Sequence, residues 1–248
     1  MTTEAHPAFG YYGKIPGTGD FIRRDLSPGF TEPWDAWLQG LIIDGRGMLG
    51  QGWQDAYFTA PIWRFTLPAD VAGPEAVIGT LMPSVDRVGR QFPFTLAGQI
   101  PGRPDAWTLH RAAGETFEVL ETISLAMLED DVERAWLDNR LHDLVPPTPR
   151  PVAEVAPGAG VLAVTALPGE TGAALAGEAI AARHARPCLF SALLDGQERL
   201  LVSNGLPTAD DGLALITLAS PVWGNPAAES LGDTLADPVA DILSGGRL

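Results

Sequence analysis

The chain has 248 residues, 46% of them hydrophobic, enough to bury a full core in one large domain or two small ones. Its 16 basic and 31 acidic side chains leave a formal charge of −15, which repels phosphate backbones and anionic membranes. No run approaches the ~20 consecutive apolar residues of a membrane helix, and a lone cysteine, Cys188, excludes an internal disulfide.

Phe9–Gly13 is short and aromatic, which predicts a first strand. It runs into Lys14–Asp20, too rich in glycine and proline for regular structure. Trp34, Trp37, Leu38, Leu41 and Ile42 then recur at helical spacing, predicting a helix with Thr31 as N-cap, Pro33 in its first turn and Gly45 as its stop. A second short helix is predicted over Met48–Phe58, where Leu49, Trp53 and Tyr57 are spaced four apart.

Three strands follow. In Ile62–Leu67, Trp63, Phe65 and Leu67 alternate with Arg64 and Thr66, the pattern of a half-buried strand. Ala76–Met82 is apolar nearly throughout and reads as a central strand covered on both faces. Phe92–Ala97 alternates again, and Pro93 places its start or an edge there. The short connections imply antiparallel neighbours.

A helical region over Asp105–Leu144 carries the stripe Phe117, Leu120, Ile123, Met127 and Leu128, and is divided at Gly114 and at Asp130-Asp131. Four prolines in Val145–Pro151 exclude helix and ladder pairing. Further on, Val161–Leu167 reads as a strand and Gly172–His184 as an alanine-rich helix. Pro187–Leu194 and Arg199–Ser203 form a hairpin around Asp195-Gly196, and Asp210–Ser220 is a weaker helix candidate. The last twenty or so residues are polar and glycine-rich, the composition of a partly disordered tail. These elements fit an α/β fold, a three-layer α/β/α sandwich around a mixed, largely antiparallel sheet.

Catalytic signatures fail one by one. Gly13-Lys14 with Gly17 and Gly19 superficially resembles a phosphate-binding loop, but the lysine comes first rather than last, and the dinucleotide pattern breaks at Asp20-Phe21-Ile22. The blander reading is a packed loop in which Asp20 caps local backbone N–H groups. The nucleophile elbow G-x-S-x-G is absent. The four histidines (His6, His110, His142, His184) show no spacing to a serine, and each reads as a surface or helix-end residue. Single cysteine and unclustered histidines give no metal signature, and Cys188 reads as a small buried apolar residue. The expectation is therefore no enzyme, no cofactor and no metal.

The loop Pro83–Gln91 is denser in function, holding Ser84, Asp86, Arg87 and Arg90 between two strands. If it shares a sheet edge with the loop of Lys14, Asp20, Arg23 and Arg24, its carboxylates and guanidiniums can interlock. Two readings stand side by side: a salt-bridged scaffold, or a partner-binding surface made of those eight residues.

Residues 9–24, FGYYGKIPGTGDFIRR, resemble the opening of the TagF (ImpM) family, as does Phe30–Leu38. So do Ala60–Phe65 and Leu81–Pro93, and all four segments fall in order within residues 9–97. The resemblance implies one domain over 1–248, with a motif-bearing core at 9–145, a proline-rich crossing at 146–151 and residues 152–248 completing the fold. It also implies an αβα fold and post-translational control, usually repression, of type VI secretion through binding of a forkhead-associated scaffold protein. A hydrolase acting on phosphoprotein or nucleotide, or a structural piece of the apparatus, are the alternatives. With no basic and apolar leader at Met1–His6, the expected compartment is the cytoplasm.

Overall fold

Every residue of Ala76–Met82 is buried, which a strand achieves only when both of its faces are covered. The structure is a computed structural model that describes residues 8–129, 132–151, 153–158 and 161–224. Around that strand lies a seven-stranded sheet in the order β2-β1-β5-β4-β3-β8-β9. Its strands are β1 (Phe9–Gly13), β2 (Ile22–Arg24), β3 (Trp63–Leu67), β4 (Ala76–Met82), β5 (Phe94–Ile100), β8 (Pro187–Leu194) and β9 (Gln197–Asn204). Each neighbouring pair is antiparallel. A separate antiparallel pair is formed by β6 (Ala153–Gly158) and β7 (Val161–Ala166).

Period-two alternation along the strands sends side chains to two separate cores. On one face Val77, Leu81, Phe65 and Phe190 pack with α1 (Pro28–Leu49), α2 (Trp53–Thr59) and the residues after α7 (Ala209–Leu213). On the other, Phe9, Ile78, Phe94 and Leu96 meet α3 (Ala106–Ala112), α4 (Gly114–Ala126) and α5 (Arg134–His142). The result is the expected three-layer α/β/α sandwich. A further helix, α6 (Thr171–Arg183), packs on the β6–β7 pair and on α3.

Helix α1 runs longer than its periodicity predicts. It starts after Ser27 with Pro28 at its first turn, so Pro33 lies inside it and Thr31 caps nothing; Thr31 instead returns its hydroxyl to the Ser27 carbonyl at 3.2 Å. Gly45 does not stop it. A Cβ at Gly45 would stand 2.3 Å from the Trp53 ring, so this glycine lets α2 approach α1. The chain leaves the helix at Gly50, whose φ of 51° suits glycine.

Strand β3 shows what alternation leaves open. Trp63, Phe65 and Leu67 face the α1 core as predicted, but Arg64 and Thr66 face the second helix layer rather than solvent. Arg64 forks onto Glu121 of α4 at 2.7 Å through both Nε and Nη2. Two short strands, β2 and β6, carried no periodic signal, and the candidate helix at Asp210–Ser220 forms only over Ala209–Leu213. The polar tail at the C-terminus lies outside the described residues.

Candidate functional site

Register brings the two sequence-marked loops together. Gly13, at the end of β1, pairs with Phe94 at the start of β5, and Phe94 pairs with Met82 at the end of β4. The loop after β1 and the loop between β4 and β5 therefore emerge side by side. Gly13 must be glycine for this: its φ is 132°, and a Cβ there would stand 2.1 Å from the Pro93 carbonyl oxygen.

Asp86 is the centre of the junction. It is 2% exposed, and its Oδ2 accepts from Lys14 Nζ at 3.0 Å and Arg90 Nε at 2.6 Å. Oδ1 accepts from the backbone N–H groups of Arg90 at 2.9 Å and Val88 at 3.1 Å. Burial opposes ionisation of this carboxyl. The Arg90 N–H, the Lys14 ammonium, the Arg90 guanidinium and the Val88 N–H outweigh that and hold it well below the usual carboxylate range. The backbones interlock as well: Arg87 N–H donates to Thr18 O at 2.8 Å, and Arg90 Nη2 to Gly19 O at 2.7 Å.

The base of the β4–β5 loop is tied to the helices. Tyr57 Oη donates to the Ser84 carbonyl at 2.8 Å and accepts from the Ser84 N–H at 3.0 Å. Gln91 Oε1 accepts from Trp53 Nε1 at 2.7 Å and from Arg46 Nη2 at 3.1 Å. The β4–β5 loop is thus held at both of its ends and cross-linked to the loop after β1.

Eight residues were singled out in the sequence, and the structure sorts them. Lys14, Asp86 and Arg90 form the lock. Arg87 is exposed at the tip, and Asp20 is exposed beside it. Asp20 accepts from Thr18 Oγ1 through its backbone carbonyl at 3.0 Å, so the expected capping role of its carboxylate gives way to this turn contact. Ser84 is buried with an Oγ that has no hydrogen-bond partner, so its side chain offers nothing to a partner at the surface. Arg23 and Arg24 do not join the lock. They lie on β2, where Arg24 pairs with Asp25 and with Asp138 of α5, because strand pairing carries them past the loop.

The sequence reading missed the aromatic part of the tip. Phe21 is 47% exposed, stacks on Tyr12 at 5.8 Å, meets Phe92 edge-on at 4.7 Å and lies 5.0 Å from Lys14 Nζ. Val88, 69% exposed, stands on the other loop. Among the described residues neither Arg23 nor Arg87 makes an ion pair. The tip therefore presents apolar groups and the Arg23 and Arg87 guanidiniums, with the one exposed carboxylate of Asp20 beside them, on a chain whose overall charge is −15.

A second polar cluster was invisible in the sequence because its members lie far apart. His110 is buried in the last turn of α3, not on the surface. Its Nδ1 lies 2.8 Å from Thr66 Oγ1 and its Nε2 lies 2.9 Å from Ser191 Oγ. It borders a cavity of about 240 Å³ with Arg64, Arg111 and Glu198. Burial, helped by the Arg64 charge, pushes the imidazole down to about 4. A base that weak takes a serine proton poorly at neutral pH, and the cluster reads as a polar strut between α3 and strands β3 and β8.

Among the described residues no group of histidine, cysteine, aspartate and glutamate is arranged to hold a metal ion, and no helix is long and apolar enough to cross a membrane. Cys188 is buried, and burial pushes its thiol up to about 12.

Residues 10–144 match the family described as the TagF N-terminal domain, type VI secretion system-associated. Among solved structures, the crystal structure of PA0076 from Pseudomonas aeruginosa PAO1 is similar. It is 35% identical, with a TM-score of 0.67, over 84% of this chain and 94% of that one. No curated protein matches the chain.

Proposed function

The chain belongs to the TagF family of type VI secretion-associated proteins, and from that membership we propose that it regulates secretion after translation, as a repressor, by binding a forkhead-associated scaffold protein. The observation that supports a binding role is the tip: two irregular loops made rigid by a buried ion pair, displaying Phe21, Val88 and Arg87 outward. Such order before binding lowers the entropy lost on association. Aromatic and arginine side chains are the types that dominate binding energy at interfaces. The charge contrast points to an acidic patch on the partner, since Arg23 and Arg87 leave the tip net positive despite Asp20 while the rest of the chain is anionic.

The test is calorimetric titration of the purified chain against a purified forkhead-associated protein of a type VI apparatus. Wild type should bind; Val88→Glu and Arg87→Glu should each weaken binding about tenfold or more while leaving the melting temperature unchanged. Absence of binding by wild type, or binding by both variants as tight as that of wild type, overturns the assignment to this surface.

A further inference from the structure

The two edges of the sheet are built differently. Edge strand β2 has three residues, is followed at once by Asp25 with φ of 54°, and has its Arg24 tied to α5 through Asp138. Short, charged and bent edges resist pairing with other chains. Edge strand β9 has eight residues, pairs along its whole length with β8, contains neither proline, glycine nor lysine, and carries one carboxylate, Glu198, on the opposite face from its one guanidinium, Arg199. Among the described residues nothing pairs with its outer side.

Its side chains divide by face. Leu201 points into the α1 core, so Arg199 shares that side, while Leu200 and Val202 share the α3 side. Leu200, opposite Ser191 of β8, is 37% exposed, and Leu193, opposite Glu198 and diagonal to Leu200, is 66% exposed. Arg199 lies over the Trp223 ring at 5.6 Å; its Nε is buried without an acceptor, and among the described residues it makes no ion pair.

We propose that β9 is a docking edge that takes an extended strand of a partner protein alternating acidic and apolar residues. Its backbone would complete the ladder, its apolar residues would cover Leu200 and Val202, and a carboxylate would meet the Arg199 guanidinium. A second copy of this chain fits less well. Residues opposite each other in an antiparallel pair share a face, so a self-pair centred on Arg199 opposes two guanidiniums. Centring on Leu200 or Leu201 sets Arg199 against Leu201 or Ser203, neither of which carries a charge. The edge is about 29 Å from β2, six strand spacings away, so a partner here leaves the tip free.

The experiment uses the purified chain and a fluorescent eight-residue peptide of alternating valine and aspartate, with hydrogen exchange read along β9. Expected are saturable binding, slowed exchange at the outward β9 amides, and loss of both when alternate peptide amides are N-methylated. Arg199→Gln should weaken binding about tenfold without moving the melting temperature. No saturable binding, or equal binding of the N-methylated peptide, overturns the proposal. So does slow exchange of those amides in the free chain, or a dimer by light scattering that Leu200→Lys dissociates.

Discussion

Lys14 and Asp86 stand 72 residues apart in sequence and meet at 3.0 Å inside the protein, where the lysine is 7% and the aspartate 2% exposed. Their meeting is a consequence of strand register, since β1 ends beside β5 and β5 begins beside β4. A charge pair in that position specifies where two loops sit, because removing one member strands the other in a dry site.

Lys14→Ala should lower the melting temperature by about 10 °C, and hydrogen exchange should speed up in residues 83–91 more than in β4. A melting curve matching wild type would show that Arg90 alone holds the loop. Acid should act on the same junction. The Asp86 carboxyl is held below its usual range, so its contribution is complete above about pH 4, the unfolded value, and fades as pH falls below it. Asp86→Asn should flatten that acid limb.

His110 gives a second, separable pH window. Burial lowers its imidazole from 6.5 to about 4, so the unfolded chain binds the proton first. Stability is therefore complete above about pH 6.5 and declines as pH falls toward 4, by about 3 kcal/mol in all. Denaturant melts of wild type and His110→Gln between pH 7 and pH 4 check this, the variant losing that slope.

Three glycines of α1 should respond in opposite directions. Nothing lies within 4 Å of a Cβ placed at Gly40 or Gly47, so alanine at either should stabilise by about 0.5–1 kcal/mol. A Cβ at Gly45 meets the Trp53 ring at 2.3 Å, and Gly45→Ala should destabilise by about 1–3 kcal/mol. Thermal melts of the three variants decide it.

The stretch after β9 is held by indole hydrogen bonds: Trp37 Nε1 donates to the Pro207 carbonyl and Trp63 Nε1 to the Leu215 carbonyl, both at 2.7 Å. Trp63 also stacks on Trp223 at 5.8 Å. Trp63→Phe should cost about 1–3 kcal/mol by stranding the Leu215 carbonyl. Limited proteolysis should then cut within residues 205–224 sooner than in wild type.

Helix α1 and strand β4 were legible because each buries a continuous face, and burial on one period leaves its mark on the sequence. Strands β2 and β6 were not, since three arginine-rich residues or a glycine- and proline-bearing stretch pair only because a neighbour is already in place. The half-buried pattern at Arg64 and Thr66 left open what covers their face, because polar residues alternate identically whether water or a polar helix lies over them. At the tip, the composition of residues 83–91 pointed to Asp86 but not to its partners: Arg24 was as good a candidate as Lys14 until register excluded it.

By itself the sequence determined an acidic α/β chain, the places of its longer elements, and four ordered segments resembling one family, because periodicity and local motif are properties of neighbours along the chain. Tertiary structure alone decided that Lys14 rather than Arg24 reaches Asp86, that His110 bridges Thr66 and Ser191, and that one sheet edge is blunted while the other is unpaired among the described residues. Those outcomes depend on register and on which face a helix covers. Both are settled by packing between residues tens of positions apart, where the order of residues carries no local trace.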